Sequence, residues 1–200
     1  MLPGARIRRG KRGLTCHDCC PQDPVALTSK AAPFAIRAER ASDVVAREAL
    51  LDACFGENRH TRTCQRLRDG RAPAAGLALS AVARGKVVGT VRLWHVSAGG
   101  IPALVLGPLA VDCAFRKLGA GAALMDHALA AARARGHRAV LLLGDAAYYA
   151  RFGFSTAKTA ELMLPGAYEQ ERLLGIELAP GALDGAWGMI VPTGGSLPKP

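Results

Sequence analysis

The chain has 200 residues, half of them hydrophobic and 21% charged, with a formal net charge of +10. That much apolar material suits one cored domain with tails and excludes a generally disordered chain. Six cysteines over this length exclude a small cysteine-dense scaffold, and no apolar run approaches the roughly 18 residues that span a bilayer. A cytoplasmic protein with reduced thiols and no membrane partner is expected.

Residues 1–33 read as a basic arm without a periodic apolar face, in which Arg6, Arg8, Arg9, Lys11 and Arg12 precede the first acid, Asp18. The positive balance suits nucleic acid, an anionic surface or a phosphorylated small molecule, or simply solvates the surface. Cys16, His17, Asp18, Cys19 and Cys20 crowd together with no second ligand pair nearby, which argues against a structural zinc site.

Residues 34–38 alternate as a first strand. Ser42 offers an N-cap to a helix ending near Gly56, with Val45, Ala49 and Ala53 recurring at i+4 beside Leu50 and Cys54. A second short helix is expected over 63–69. Strands at 77–82 and 86–94 flank an Arg84-Gly85 turn, followed by a loop over 97–102. Residues 104–111 form a strand broken at Gly107-Pro108, because proline cannot donate to a ladder. A loop over 112–118 leads into a helix over 119–135, in which Ala122, Met125, Leu129 and Ala132 share a face, ended by Gly136. Residues 139–143 are the continuous apolar run of a strand buried on both faces. A short helix over 146–152, a strand from Phe154 and a last strand over 187–191 follow, then a loose Gly/Pro-rich tail over 193–200. The order, β-α-β-β-β-α-β-α-β-β, is an α+β fold, an α/β sandwich with helices on a mixed sheet.

The sharpest local feature runs from Leu109 to Ala122: a strand feeds a basic, glycine-bearing loop that opens a helix. The first turn of a helix leaves amides unpaired and carries partial positive charge. Gly119 and Gly121 let a ligand approach the backbone, and Arg116 and Lys117 add charge at the same mouth. A pyrophosphate suits such a site. Two other phosphate motifs fail. Gly85-Lys86 is followed by Val87, with Ser80 where a P-loop needs glycine, and Gly119-Ala120-Gly121-Ala122-Ala123-Leu124 lacks the third glycine of a dinucleotide fingerprint.

Arg116-Lys117-Leu118-Gly119-Ala120-Gly121 resembles the R/Q-x-x-G-x-G/A signature of the Gcn5-related N-acetyltransferase (GNAT) superfamily. Leu106-Gly107-Pro108-Leu109-Ala110-Val111 resembles its fourth strand with a bulge, and Tyr148-Tyr149-Ala150-Arg151-Phe152-Gly153-Phe154 its Y-x-x-x-G-F segment. The set is similar to a bacterial branch whose substrates are mostly unassigned, and covers residues 34–192. The resemblance implies a mixed, mainly antiparallel sheet of about seven strands with helices on both faces. It implies direct transfer of an acetyl group from acetyl-CoA, without a metal, to a primary amine of a small molecule or protein. Leu109 and Val111 would pair with the pantetheine arm, and Arg116, Lys117, Leu118, Gly119, Ala120, Gly121 and Ala122 would cradle the pyrophosphate. An amide near Leu109 or Ala110 would meet the oxyanion.

Tyr149, four residues before Gly153, falls where the family places its general acid. A phenol with a pKa near 10 is protonated at neutrality and can donate to a departing thiolate. Tyr148 reads as structural or substrate-lining. The fourth strand carries no acid, which leaves His95 or Asp145 as base candidates, while His127 should face solvent. Cys113, where many relatives have proline, reads as a small apolar filler. The missing acid keeps a second class of function open, a non-catalytic acyl-CoA sensor. Nucleic acid is the less favoured partner, and a homodimer is compatible with a small soluble enzyme.

Overall fold

The computed structural model describes residues 32–197. The basic arm, but for its last two residues, and the Cys16–Cys20 cluster lie outside them. Strand β1 (Ala35–Ala38) leads through a 3-10 turn (Ala41–Asp43) into α1 (Val44–Phe55). Here Asp43 rather than Ser42 organises the turn. Its carboxylate is buried, accepts the Arg40 N–H at 2.9 Å and pairs with Arg37 at 2.6 Å. The apolar face also differs from the one expected. Val45, Ala49 and Ala53 are exposed, and Arg47, Leu50 and Leu51 are buried. The helix turns Arg47 inward because Glu39, whose side chain is 7% exposed, lies beneath it, 2.5 Å away. Two 3-10 segments (Glu57–Thr61 and Thr63–Leu67) replace the second short helix.

β2 (Ala78–Ala83) and β3 (Lys86–Ala98) form the expected hairpin, with Ala83 opposite Lys86. β3 runs four residues past Trp94, so the loop expected over 97–102 is a tight turn. Gly99 and Gly100, at φ 57° and 95°, make that turn, and β4 (Ile101–Leu106) returns beside β3. Both glycines adopt positive φ, as a type I′ turn requires. β5 (Ala110–Val111) resumes the strand beyond Gly107-Pro108.

A single turn, α2 (Cys113–Arg116), precedes α3 (Ala120–Ala134). The alanine-rich sequence favours helix, and its small side chains allow close approach to the sheet. Leu124, Met125, Ala128, Leu129 and Ala132 form the buried face. A Cβ on Gly89 of β3 would lie 2.9 Å from Leu124, so glycine at 89 is what lets α3 settle there. β6 (Ala139–Leu143), α4 (Ala146–Ala150), β7 (Leu162–Met163), β8 (Leu173–Glu177) and β9 (Gly188–Pro192) complete the chain. Phe154 starts no strand; Ser155 makes only an isolated bridge to Gly175. The sheet of nine strands runs β1-β2-β3-β4-β6-β8, with β5 and β9 also on β3. Its pairs are antiparallel except β4–β6 and β7–β9. One core lies under α3 and a second, around Leu67, Trp94, Leu141 and Ile190, on the other face. Residues 193–197, expected to be loose, are held by Ala72 N–H to Gly195 O at 2.9 Å and Leu197 N–H to Gly70 O at 2.8 Å.

Candidate active site

The sheet forks where the strand is broken. β4 pairs with β6 only at Leu104–Val140 and Val105–Leu141. Beyond the break β5 stays on β3, Thr90 opposite Ala110 and Gly89 opposite Val111, while β6 continues beside β8 as far as Leu143. The second edge of β5 therefore faces the fork. The Asp112 N–H donates to Val88 O at 2.8 Å, which makes that pair hydrogen-bonded. Alternation then turns the polar groups of Val111 toward the fork and those of Ala110 toward Thr90. The carbonyl of Val111 accepts Arg116 Nε at 3.0 Å and Cys54 Sγ at 3.5 Å from that side. This register corrects one expectation: the Ala110 amide is spent on β3 and does not face an oxyanion.

The break itself is pinned. Gly107 N–H donates to Arg92 O, and Gly107 O accepts the Trp94 indole Nε1, both at 2.8 Å. After β5, the Asp112 carboxylate caps α2 by accepting the Ala114 N–H at 2.9 Å. Gly119 adopts φ 83°, a left-handed conformation that lets the chain turn straight into α3. The first intrahelical bond of α3 is Ala123 N–H to Gly119 O at 3.0 Å. The amides of Ala120, Gly121 and Ala122 precede it and have no acceptor within the helix. They sit at the positive end of a 15-residue helix, with Lys117, Leu118 and Gly119 exposed beside them. A Cβ on Gly121 would lie 3.6 Å from Val111 Cγ2 and 3.1 Å from the Tyr148 hydroxyl. Orphan amides, a bare helix turn and flanking Arg116 and Lys117 fit a diphosphate.

α4 closes the fork. Asp145 caps it, accepting the Tyr148 N–H at 2.7 Å, which is a structural duty for one base candidate. Tyr149 lies against Gly144, just past β6, so closely that a Cβ there would overlap its ring, and the ring meets Phe154 in a T-shaped pair, centroids 6.0 Å apart. The two tyrosine rings meet edge-on at 4.9 Å. Burial pushes the Tyr148 phenol above its ordinary value, against the pull of Arg151 stacked 4.4 Å over the ring. Tyr148 thus reaches the anion loop, a contact that sequence reading missed because adjacent residues on a one-turn helix cannot be told apart by spacing.

Other expected residues are dispersed. His95 pairs in register with Leu104 and faces His137, ring centroids 5.3 Å apart. His137 follows the C-terminal end of α3, so His95 lies toward the end opposite the anion loop of a helix about 22 Å long at 1.5 Å per residue. His127 is exposed as expected, its Nδ1 2.8 Å from Ala123 O. Cys113 is also exposed and fills no core space.

On the α1 face of the break, a cavity of about 430 Å³ opens beside Pro108, Trp94 and Arg68. Arg92, Glu39, Arg47, Glu48, Arg59 and Asp52 form a continuous chain of ion pairs along it. Burial pushes the Glu39 carboxyl up, opposed chiefly by Arg47. The signal for this cavity in the sequence was five arginines against one acid over 59–71.

Among the described residues, no cluster of three or more His, Cys, Asp or Glu could hold a metal, and no helix is long and apolar enough to cross a membrane. The model of the Acetyltransferase (GNAT) family matches residues 45–154. The Uncharacterized N-acetyltransferase YhbS of Escherichia coli K12 is 30% identical over 157 residues, 78% of this chain and 93% of that protein. The crystal structure of the E. coli GNAT family N-acetyltransferase YhbS in complex with CoA superposes with a TM-score of 0.69 at 30% identity, covering 84% of this chain and 94% of that one. A GNAT family acetyltransferase from Brucella melitensis in complex with acetyl-CoA superposes at 0.59 and 27% identity, covering 82% and 97%.

Proposed function

This chain belongs to the GNAT acetyltransferase family, and from that premise we propose that it transfers an acetyl group from acetyl-CoA to a primary amine by direct attack. The observation that carries the reading is the fork: an open strand edge at Val111 beside the orphan amides of Ala120 to Ala122. Residues 34–192 form the acyltransferase domain in this reading.

The residues divide the work by chemistry. Backbone at Leu109 and Val111 offers strand-like pairing to an extended amide-bearing arm. Amides of Ala120 to Ala122, with Arg116 and Lys117, hold the diphosphate, while the Leu118 and Gly119 amides donate to Phe115 O and Arg116 O and shape the loop. Arg116 would then exchange the Val111 carbonyl for phosphate oxygens, to which a guanidinium binds more strongly. Acetyl-CoA supplies a thioester carbonyl as electrophile and a thiolate as leaving group. The amine nitrogen forms its bond to the carbonyl carbon, the carbon–sulfur bond breaks, and Tyr149 gives its phenolic proton to the sulfur. An amide at the fork, from Leu109 or Val111, meets the oxyanion. The surplus proton on nitrogen leaves to water, and a proton from water restores the Tyr149 phenol. His95 takes no part in this scheme, given its place beside His137, and Asp145 acts as the cap of α4.

The non-catalytic sensor rests on a specific observation: β4, Ile101–Leu106, carries no carboxylate. An acceptor panel with acetyl-CoA, read by thiol release, separates the two. Amine-dependent release supports the enzyme; stabilisation by acetyl-CoA with no release from any amine supports the sensor.

A further inference from the structure

The cavity on the α1 face is lined by five arginines, Arg47, Arg59, Arg68, Arg71 and Arg92, and by two carboxylates, Glu48 and Asp69. Four of the arginines are engaged. Arg47 and Arg92 share Glu39, Arg59 holds Glu48 and Asp52, and Arg71 donates to Gly194 O at 2.6 Å. Arg68 differs. Its Nε is buried with no hydrogen-bond partner among the described residues. The neighbouring Asp69 carboxylate is turned to Gln65 Nε2 at 2.6 Å. Burial draws the Arg68 guanidinium below its ordinary value, and Cys64 and Asp69 only partly offset this. A guanidinium stays charged in proteins, so the group is a half-buried cation with a fully buried Nε and no carboxylate paired with it among the described residues.

Its position gives that deficit a meaning. Arg68 Nη1 is 3.7 Å from where a Cβ on Gly107 would lie, so the cation abuts the break in the strand. The cavity has the size of a small-molecule site, with the apolar Trp94 and Pro108 beside the charge. Resting on the acetyltransferase reading, we propose that the acceptor is a small amine carrying a carboxylate or phosphate, and that Arg68 binds this anionic group. The planar fork of a guanidinium matches either anion bidentately. Because Arg68 lies against the break, a spacer of only a few bonds separates the anionic group from the reacting nitrogen.

The test uses the full chain, acetyl-CoA and matched amines: phenylalanine against phenethylamine, and O-phosphoethanolamine against ethanolamine. Thiol release should give the anionic member of at least one pair a kcat/KM about tenfold higher or more, as a charge-assisted contact requires. The carboxylate and phosphate pairs show which anion is taken. Arg68→Gln should bring that ratio toward one through KM, with the heat of acetyl-CoA binding retained as the control for folding. Arg68→Lys, which keeps the charge and loses the fork, should fall between. Calorimetry with the anionic amines alone separates the two layers. Heat that Arg68→Gln abolishes, without thiol release, supports the anion site and removes acyl transfer. Release from neutral amines at least as fast as from anionic ones, or an unchanged ratio in both Arg68 variants, leaves acyl transfer standing and overturns the proposal.

Discussion

The hydroxyl of Tyr148 stands 3.1 Å from the point where a Cβ on Gly121 would lie. The first turn of α3 and the one-turn helix α4 therefore meet over a residue that has no side chain. Gly121→Ala adds a methyl group that Tyr148 must yield to by a few tenths of an ångström. Acetyl-CoA should bind several-fold more weakly to Gly121→Ala. Adding Tyr148→Phe, which removes the hydroxyl, should restore part of the loss. A thermodynamic cycle read by calorimetry checks this, and strictly additive effects would show that the two residues do not share a space.

Tyr149→Phe removes the proton donor and keeps the ring on Gly144 and Phe154. Turnover with a working amine should fall roughly a hundredfold, with the acetyl-CoA dissociation constant within about twofold of the parent. Steady-state kinetics paired with calorimetry measure both. Equal turnover would take Tyr149 out of the mechanism.

Gly144→Ala tests the seat of that ring from beneath. The added Cβ would overlap Tyr149, so the ring must tilt and α4 must shift with it. Overpacking of this kind costs about 1–3 kcal/mol. Urea unfolding should show a loss in that range, and kcat should fall with it. A fully stable, fully active variant would mean that Tyr149 does not depend on this contact.

The acid limb of stability should carry the mark of Asp43. Its carboxyl is held well below the usual carboxylate range, first by the Arg37 hydrogen bond, then by the Arg40 amide and Ser80, against the cost of burial. The unfolded chain takes up the proton first, near pH 3.9, so stability is complete above that value and drains away as pH falls through it toward the lower native value. Asp43→Asn should be less stable than the parent at pH 7, with the gap narrowing below about pH 4. Urea midpoints across pH 2–7 test this; a gap constant with pH would contradict it.

The anion loop was legible because its chemistry is local: strand, basic turn, glycines and helix follow one another within 14 residues from Leu109 to Ala122. The break at Gly107-Pro108 was equally readable, since proline cannot serve a ladder. What sequence hid depends on distant partners. Val45, Ala49 and Ala53 looked like a buried stripe, yet Glu39, on the chain before the helix, draws Arg47 inward and turns that stripe to solvent. His95 looked available on its strand until the loop after α3 brought His137 against it. The cavity on the α1 face draws on residues from Val44 to Leu197, and only its surplus of arginines could have marked it.

Calorimetry of acetyl-CoA binding to the full chain and to Gly121→Glu addresses the anion loop most directly. The parent should give one saturable site. Gly121→Glu, which sets a carboxylate among the amides of Ala120 to Ala122, should give no heat while its far-ultraviolet dichroism matches the parent. No heat from the parent, or equal heats from both proteins, would contradict a cofactor seated at the start of α3.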